Sequence, residues 1–140
     1  MKRNRGFSLL EVLISVLILS IGLLGMAGLQ MNALKFNQSA SVRSQATVMA
    51  YEITDRMRMN RVAALAGQYN TALSQTSVTG QTRAAVDLAS WKTALQSQLP
   101  DGRGAIALGT GNRVTVTVQW DESRMRNGSN TQQLIFETRL

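Results

Sequence analysis

The sequence predicts an α+β fold: a long N-terminal α-helix, membrane-spanning in its first half, packed on a small C-terminal antiparallel β-sheet with a second, short helix. Three observations carry this reading. Val12 to Leu34 is a run of 23 residues without a charged side chain, and about 20 apolar residues rising 1.5 Å each cross the hydrocarbon of a bilayer. Past that run, Val42, Ala46, Met49, Ile53 and Met57 recur at helical spacing, so the helix continues with one apolar stripe that can carry a globular part. Towards the C-terminus, Val114, Val116, Val118 and Trp120 alternate with Thr115, Thr117 and Gln119, the period of a strand with one buried face.

Taken in chain order, Lys2, Arg3 and Arg5 precede the apolar run and are denser than Lys35 and Arg43 after it. This asymmetry leaves the N-terminus cytoplasmic and the body on the outer side of the membrane. The helix is expected from about Phe7 to Arg61, a length of roughly 80 Å, with Glu52 and Arg56 in the favourable i, i+4 order. Residues 66–82, rich in Gly, Ser, Thr and Gln, form a connecting loop. Ala84, Leu88, Trp91, Leu95 and Leu99 make the second amphipathic helix, stopped by Pro100-Asp101-Gly102. Strands are expected at Arg103 to Leu108, Arg113 to Asp121 and Gln132 to Arg139, with Asn127-Gly128 a turn signal between the last two.

Composition narrows the chemistry. A chain of 140 residues has room for one domain, and 44% hydrophobic residues with only 5% aromatic ones imply a core of Leu, Val, Ile, Met and Ala. The net charge is +7, but three of the 15 basic residues precede the apolar run; without them 12 basic groups face 8 acidic ones, a mild surplus. There is no cysteine and no histidine. That excludes disulfides, thiolate metal sites and cysteine nucleophiles, and removes the commonest general base and metal ligand. No catalytic residue, metal site or cofactor is expected. The densest basic cluster, "RMRMNR" from Arg56 to Arg61, has no aromatic residue interleaved for base stacking. It reads as a solvated helix end whose cations offset the helix dipole and meet Glu52, Asp55 or a neighbouring subunit, and nucleic acid is not an expected partner. Asp121 and Glu122 are adjacent strand residues, which point to opposite faces and do not converge.

Glu11 does not belong in an ordinary membrane signal. A carboxylate inside a membrane helix costs on the order of 2.5–3.5 kcal/mol or more and is usually kept for a partner or a function. A cleavable secretory signal would have an apolar core of about 7–15 residues before a small-residue site; here the run is longer, and the only small-residue pattern, Gly25-Met26-Ala27, lies inside it. A cut between Gly6 and Phe7 would instead create an α-amine at Phe7, one helical turn from Glu11. A neighbouring subunit shifted along the helix could set its own amine against this carboxylate. At 4 Å and an effective dielectric near 20 the pair is worth about 4 kcal/mol before desolvation, and a charge that is costly alone becomes a device for holding two subunits in register.

These residues match a family. The short basic leader, Gly6, Phe7 and Ser8-Leu9-Leu10-Glu11-Val12-Leu13 resemble the class III signal of type IV prepilins and type II secretion pseudopilins. The resemblance implies that prepilin peptidase cuts after Gly6 and methylates the Phe7 amine, and that Glu11 is the assembly glutamate. The chain then divides into a leader peptide (1–6), a transmembrane and filament-core half of the helix (7–34), and a periplasmic globular pilin domain (35–140) that includes the rest of the helix. Gly22, Gly25 and Gly28 make the membrane half a flexible segment, or else a surface for close helix packing; both imply helix partners.

Farther along, "RSQATVMAYEITDRMRMNRVAALAGQYN" from Arg43, "WKTALQSQLPDGRGAI" from Trp91 and "VTVTVQWDE" from Val114 resemble the PilV group of minor pilins. GspI-like minor pseudopilins of type II secretion are similar in the same places. The likeness implies the type IV pilin fold and a minor pilin that co-assembles with other minor pilins to prime pilus assembly at the tip. Its implied partners are other minor pilins and the major pilin through the N-terminal helix, prepilin peptidase, and a PilY-type tip adhesin. Its implied location is the inner membrane, then the pilus at the cell surface. Two other readings stay open, a GspI-like pseudopilin and a membrane-anchored periplasmic binding domain with no filament.

Overall fold

The structure, a computed structural model, describes residues 8–124 and 129–140. Gly6, Phe7 and the Asn127-Gly128 turn signal lie outside the described residues. The elements run α1 (Leu9–Met59), α2 (Arg61–Leu65), α3 (Arg83–Gln98), β1 (Arg103–Leu108), a short 3-10 turn (Thr110–Asn112), β2 (Arg113–Trp120) and β3 (Gln132–Arg139). This is the α+β arrangement expected, a long helix packed on a small antiparallel sheet with a second helix.

Ser8 starts α1. Its backbone is extended, and its hydroxyl accepts the Leu10 N–H at 3.3 Å, satisfying one of the donors that a helix N-terminus leaves free. The helix then runs 51 residues without a break, about 76 Å at 1.5 Å per residue. Its two halves differ in what they touch. Every large apolar side chain from Leu9 to Leu34 is exposed, whereas Val42, Ala46, Met49, Ala50, Ile53, Thr54 and Met57 are buried against the rest of the chain.

The helix ends at Met59, not at Arg61. Asn60 leaves helical dihedrals (φ −121°, ψ 49°), its side-chain amide donates to the Tyr69 hydroxyl at 3.2 Å, and α2 begins at the next residue. Segment 66–82 is the expected loop, with one addition: Thr71 pairs with Ile106 through both main-chain bonds, covering part of β1's outer edge.

Thr82 caps α3 by accepting the Ala85 N–H at 3.2 Å, and the helix stops at Leu99, whose extended backbone is what a following proline demands. The sheet order is β1-β2-β3, antiparallel throughout. Arg103 lies opposite Gln119, and Arg113 opposite Arg139. Asp121, expected inside β2, turns away to donate its N–H to the Pro100 carbonyl. The inner face of the sheet carries Ile106, Val114, Val116, Val118 and Trp120, all buried. α1 covers β2 and β3, and α3 sits between α1 and β1. Trp91 ties the layers together: its indole N–H donates to the Met49 carbonyl of α1 at 3.0 Å, and its ring lies over Gly104, where a Cβ would stand 2.3 Å from a ring carbon.

Candidate functional site

Two regions bear on function, the exposed half of α1 and the polar clusters that fix the head to its other half.

Glu11 sits in the first turn of α1, exposed, with its main-chain N–H on the Ser8 carbonyl at 3.0 Å. A carboxylate there faces the positive end of the helix dipole. Around it Leu9, Leu10, Val12, Leu13 and Ile14 all point outward. Gly22, Gly25 and Gly28 lie farther up the same exposed half, and an added Cβ at any of them meets nothing within 4 Å. At 100° per residue they share a sector about 120° wide, and α1 passes through it as continuous helix. The helix is long and apolar enough to cross a membrane, and its most apolar stretch has no contact with the head that would bury it.

In the head, Glu122 is buried at the membrane-proximal end. Its carboxylate accepts from the Trp120 indole N–H (2.9 Å), the Ser39 hydroxyl (3.2 Å) and Arg43 Nε (3.3 Å). Burial alone would push this carboxyl up, but the donors from Arg43, Trp120 and Ser39, with the Arg43 charge, outweigh it and hold Glu122 below its usual range. Asp121 diverges: it accepts from the Ser123 N–H and hydroxyl. The two carboxylates do not form a joint site, as their adjacency on the chain implies.

At the far end of the head, the Tyr69 hydroxyl donates to buried Asp87 at 2.7 Å and accepts from Asn60. Arg83 and Arg56 close on the same carboxylate at 3.1 and 3.7 Å. Burial, then Asp87 itself, raises the Tyr69 pKa. Between these clusters, Lys92 buries its ammonium among the carbonyls of Ala72, Gln75 and Gly104, and burial lowers its pKa. The Arg56–Arg61 cluster behaves as a solvated helix end: Arg56 meets Glu52, Arg58 meets Asp55 and Thr138, and Arg61 donates to the Leu140 carbonyl.

Sequence reasoning missed Asp87, Lys92 and Glu122 as organising groups. For Asp87 a signal existed, since it lies on the apolar face of α3 beside Ala84, Leu88 and Trp91, where a charge needs partners. Among the described residues, no three Asp, Glu, His or Cys side chains gather where a metal could be held.

A long helix, bare and apolar for half its length, with a small α+β head on the other half, is the build of a pilin-like subunit. The prokaryotic N-terminal methylation motif, as a family, matches residues 1–27. That motif indicates a type IV pilin-like or pseudopilin protein and implies processing by prepilin peptidase and assembly with other pilins; with the apolar helix it supports membrane anchoring. No curated protein and no solved structure matches this chain.

Proposed function

We propose that the chain is a minor pilin of the PilV group. It enters the inner membrane with its head in the periplasm, is cut after Gly6 and methylated at Phe7, and co-assembles through α1 with other minor pilins to prime a type IV pilus at its tip. It is a structural subunit and performs no catalytic step. The observation that carries this reading is Glu11: a carboxylate on an otherwise uncharged exposed helix face, within the methylation motif, four residues after the amine that cleavage would create. In the assembled state Glu11 pairs with the Phe7 amine of a neighbouring subunit, and the Gly22 to Gly28 sector lets neighbouring helices come close or the helix adapt.

N-terminal mass spectrometry of the inner-membrane form tests the processing. The expected terminus is N-methyl-phenylalanine at Phe7; an intact Met1, or a cut near Ala27, overturns the reading. Recovery of the processed chain with secretion-system pseudopilins in place of pili would move it to the GspI-like group.

A further inference from the structure

β1 and β3 are the two edges of the three-stranded sheet, and the chain treats them differently. In an antiparallel pair, alternate residues turn N–H and C=O towards the partner strand, and those between turn theirs away. The bond from Leu140 N–H to the Asn112 carbonyl continues the β2–β3 register, so the even-numbered residues of β3 bond to β2. Gln133, Ile135, Glu137 and Arg139 therefore present their main-chain groups on the outer side. The bond from Gly109 N–H to the Arg113 carbonyl phases β1 in the same way and turns Gly104, Ile106 and Leu108 outward.

The β1 edge is covered from within the chain. Lys92 donates to the Gly104 carbonyl, Thr71 takes both main-chain bonds of Ile106, and Asn70 Oδ1 accepts the Leu108 N–H. On β3, among the described residues, no group meets the outward N–H and C=O of Gln133, Ile135, Glu137 or Arg139. The strand is eight residues long with no proline or glycine, and Ile135 is 61% exposed at its centre. A long unpaired edge of this kind is a template for another strand.

Charge indicates what the incoming strand carries. Arg113 and Arg139 stand directly opposite each other on the outer face of the sheet, a destabilising like-charge pairing. Glu137 engages Arg113 at 3.5 Å, and Arg139 has no ionic partner among the described residues.

Direction limits who can dock. Gln132 lies near Ser39 and Arg43, Phe136 packs on Tyr51 with ring centroids 4.7 Å apart, and Thr138 meets Arg58, so β3 runs in the same direction as α1. Antiparallel pairing of two β3 strands would set their α1 helices antiparallel, which two copies anchored in one bilayer cannot adopt. A twofold axis along the membrane normal would instead place each residue level with its own copy, N–H against N–H and Arg139 against Arg139.

We propose that the free edge of β3 is a docking surface for an extended strand of a different polypeptide, which adds beside β3 through main-chain hydrogen bonds and sets a carboxylate against Arg139. This inference does not depend on the pilus reading, because it is tested on the chain alone. The probe is a synthetic peptide eight residues long, matching β3, written antiparallel to it with glutamate opposite Arg139, lysine opposite Glu137 and valine opposite Ile135. With the full chain in detergent, amide NMR should show saturable binding, with exchange at Gln133, Ile135, Glu137 and Arg139 slowed roughly tenfold and Leu134 and Phe136, already in the ladder, little changed. A peptide with its glutamate and lysine exchanged should bind several-fold more weakly, and one N-methylated at the amides facing β3 should not bind. Ile135→Pro removes an outward N–H without touching the β2 ladder, and should abolish binding while leaving the near-ultraviolet circular dichroism unchanged. Unslowed exchange at the four amides, or equal binding of the N-methylated peptide, overturns the proposal. Concentration-dependent protection of those amides without peptide also overturns it and assigns the edge to a second copy of the chain.

Discussion

The Tyr69 hydroxyl donates to the Asp87 carboxylate at 2.7 Å, and through this bond the loop after α2 and the N-terminal half of α3 are held at one buried point. Asn60, Arg56 and Arg83 converge on the same pair.

Tyr69→Phe keeps the ring and removes that donor, so it should destabilise the head by about 1–3 kcal/mol in chemical denaturation. The pair also links stability to alkaline pH. Because the Tyr69 pKa is raised in the folded state, its contribution is fully present below the ordinary tyrosine value of 10.0 and is lost as pH rises through the folded value. Denaturation at pH 9 and above 10 should show wild type declining more steeply than Tyr69→Phe; equal slopes would remove Tyr69 from the alkaline transition.

Acid acts at the opposite end of the head. Glu122 is held below its ordinary value of 4.5, so its contribution is present above that value and lost as pH falls through the folded one. Glu122→Gln should cost about 1–3 kcal/mol at neutral pH and flatten the loss of stability between neutrality and strongly acid pH. A variant as acid-sensitive as wild type would show that the Arg43–Glu122 contact does not govern that limb.

Gly104→Ala tests the packing of α3 on β1. The new methyl would lie 2.3 Å from the Trp91 ring, and displacing a buried indole in a filled core costs about 1–3 kcal/mol. Unfolding should move to lower denaturant and the near-ultraviolet signal of Trp91 should change; an unaltered spectrum with unaltered stability would mean the ring does not lie on Gly104 in solution.

Glu11→Ala addresses assembly. Incorporation into pili should fall by roughly tenfold or more, the scale of losing 1.4 kcal/mol from an intermolecular pair, while the membrane-inserted and methylated fraction stays constant by fractionation and immunoblot. Undiminished incorporation would refute the pairing role of this carboxylate.

How much of this was legible follows from what each feature depends on. The buried faces of α3, β2 and the second half of α1 follow from periodicity, because one side of each meets the core along its length, and β1 and β3 keep their expected bounds. Asn60, where α1 ends, meets Tyr69 nine residues away. Glu122 depends on Arg43, 79 residues back in the chain, and Lys92 on loop carbonyls placed only when segment 66–82 folds over β1. Local pattern carries no information on such pairings. Glu11 stands out in the sequence for the opposite reason: it is a lone carboxylate in an apolar stretch, and the pairing proposed for it is with a neighbouring subunit.

α1 is one uninterrupted helix from Leu9 to Met59, with Trp91 fastened to it at Met49 and Glu122 at Arg43, so the head is joined to the apolar half by helix and not by a linker. The molecule is a shaft with its load bolted on. A load on the head therefore enters α1 at Arg43 and Met49, and it reaches the exposed apolar half only by passing down the helix through Gly28, Gly25 and Gly22.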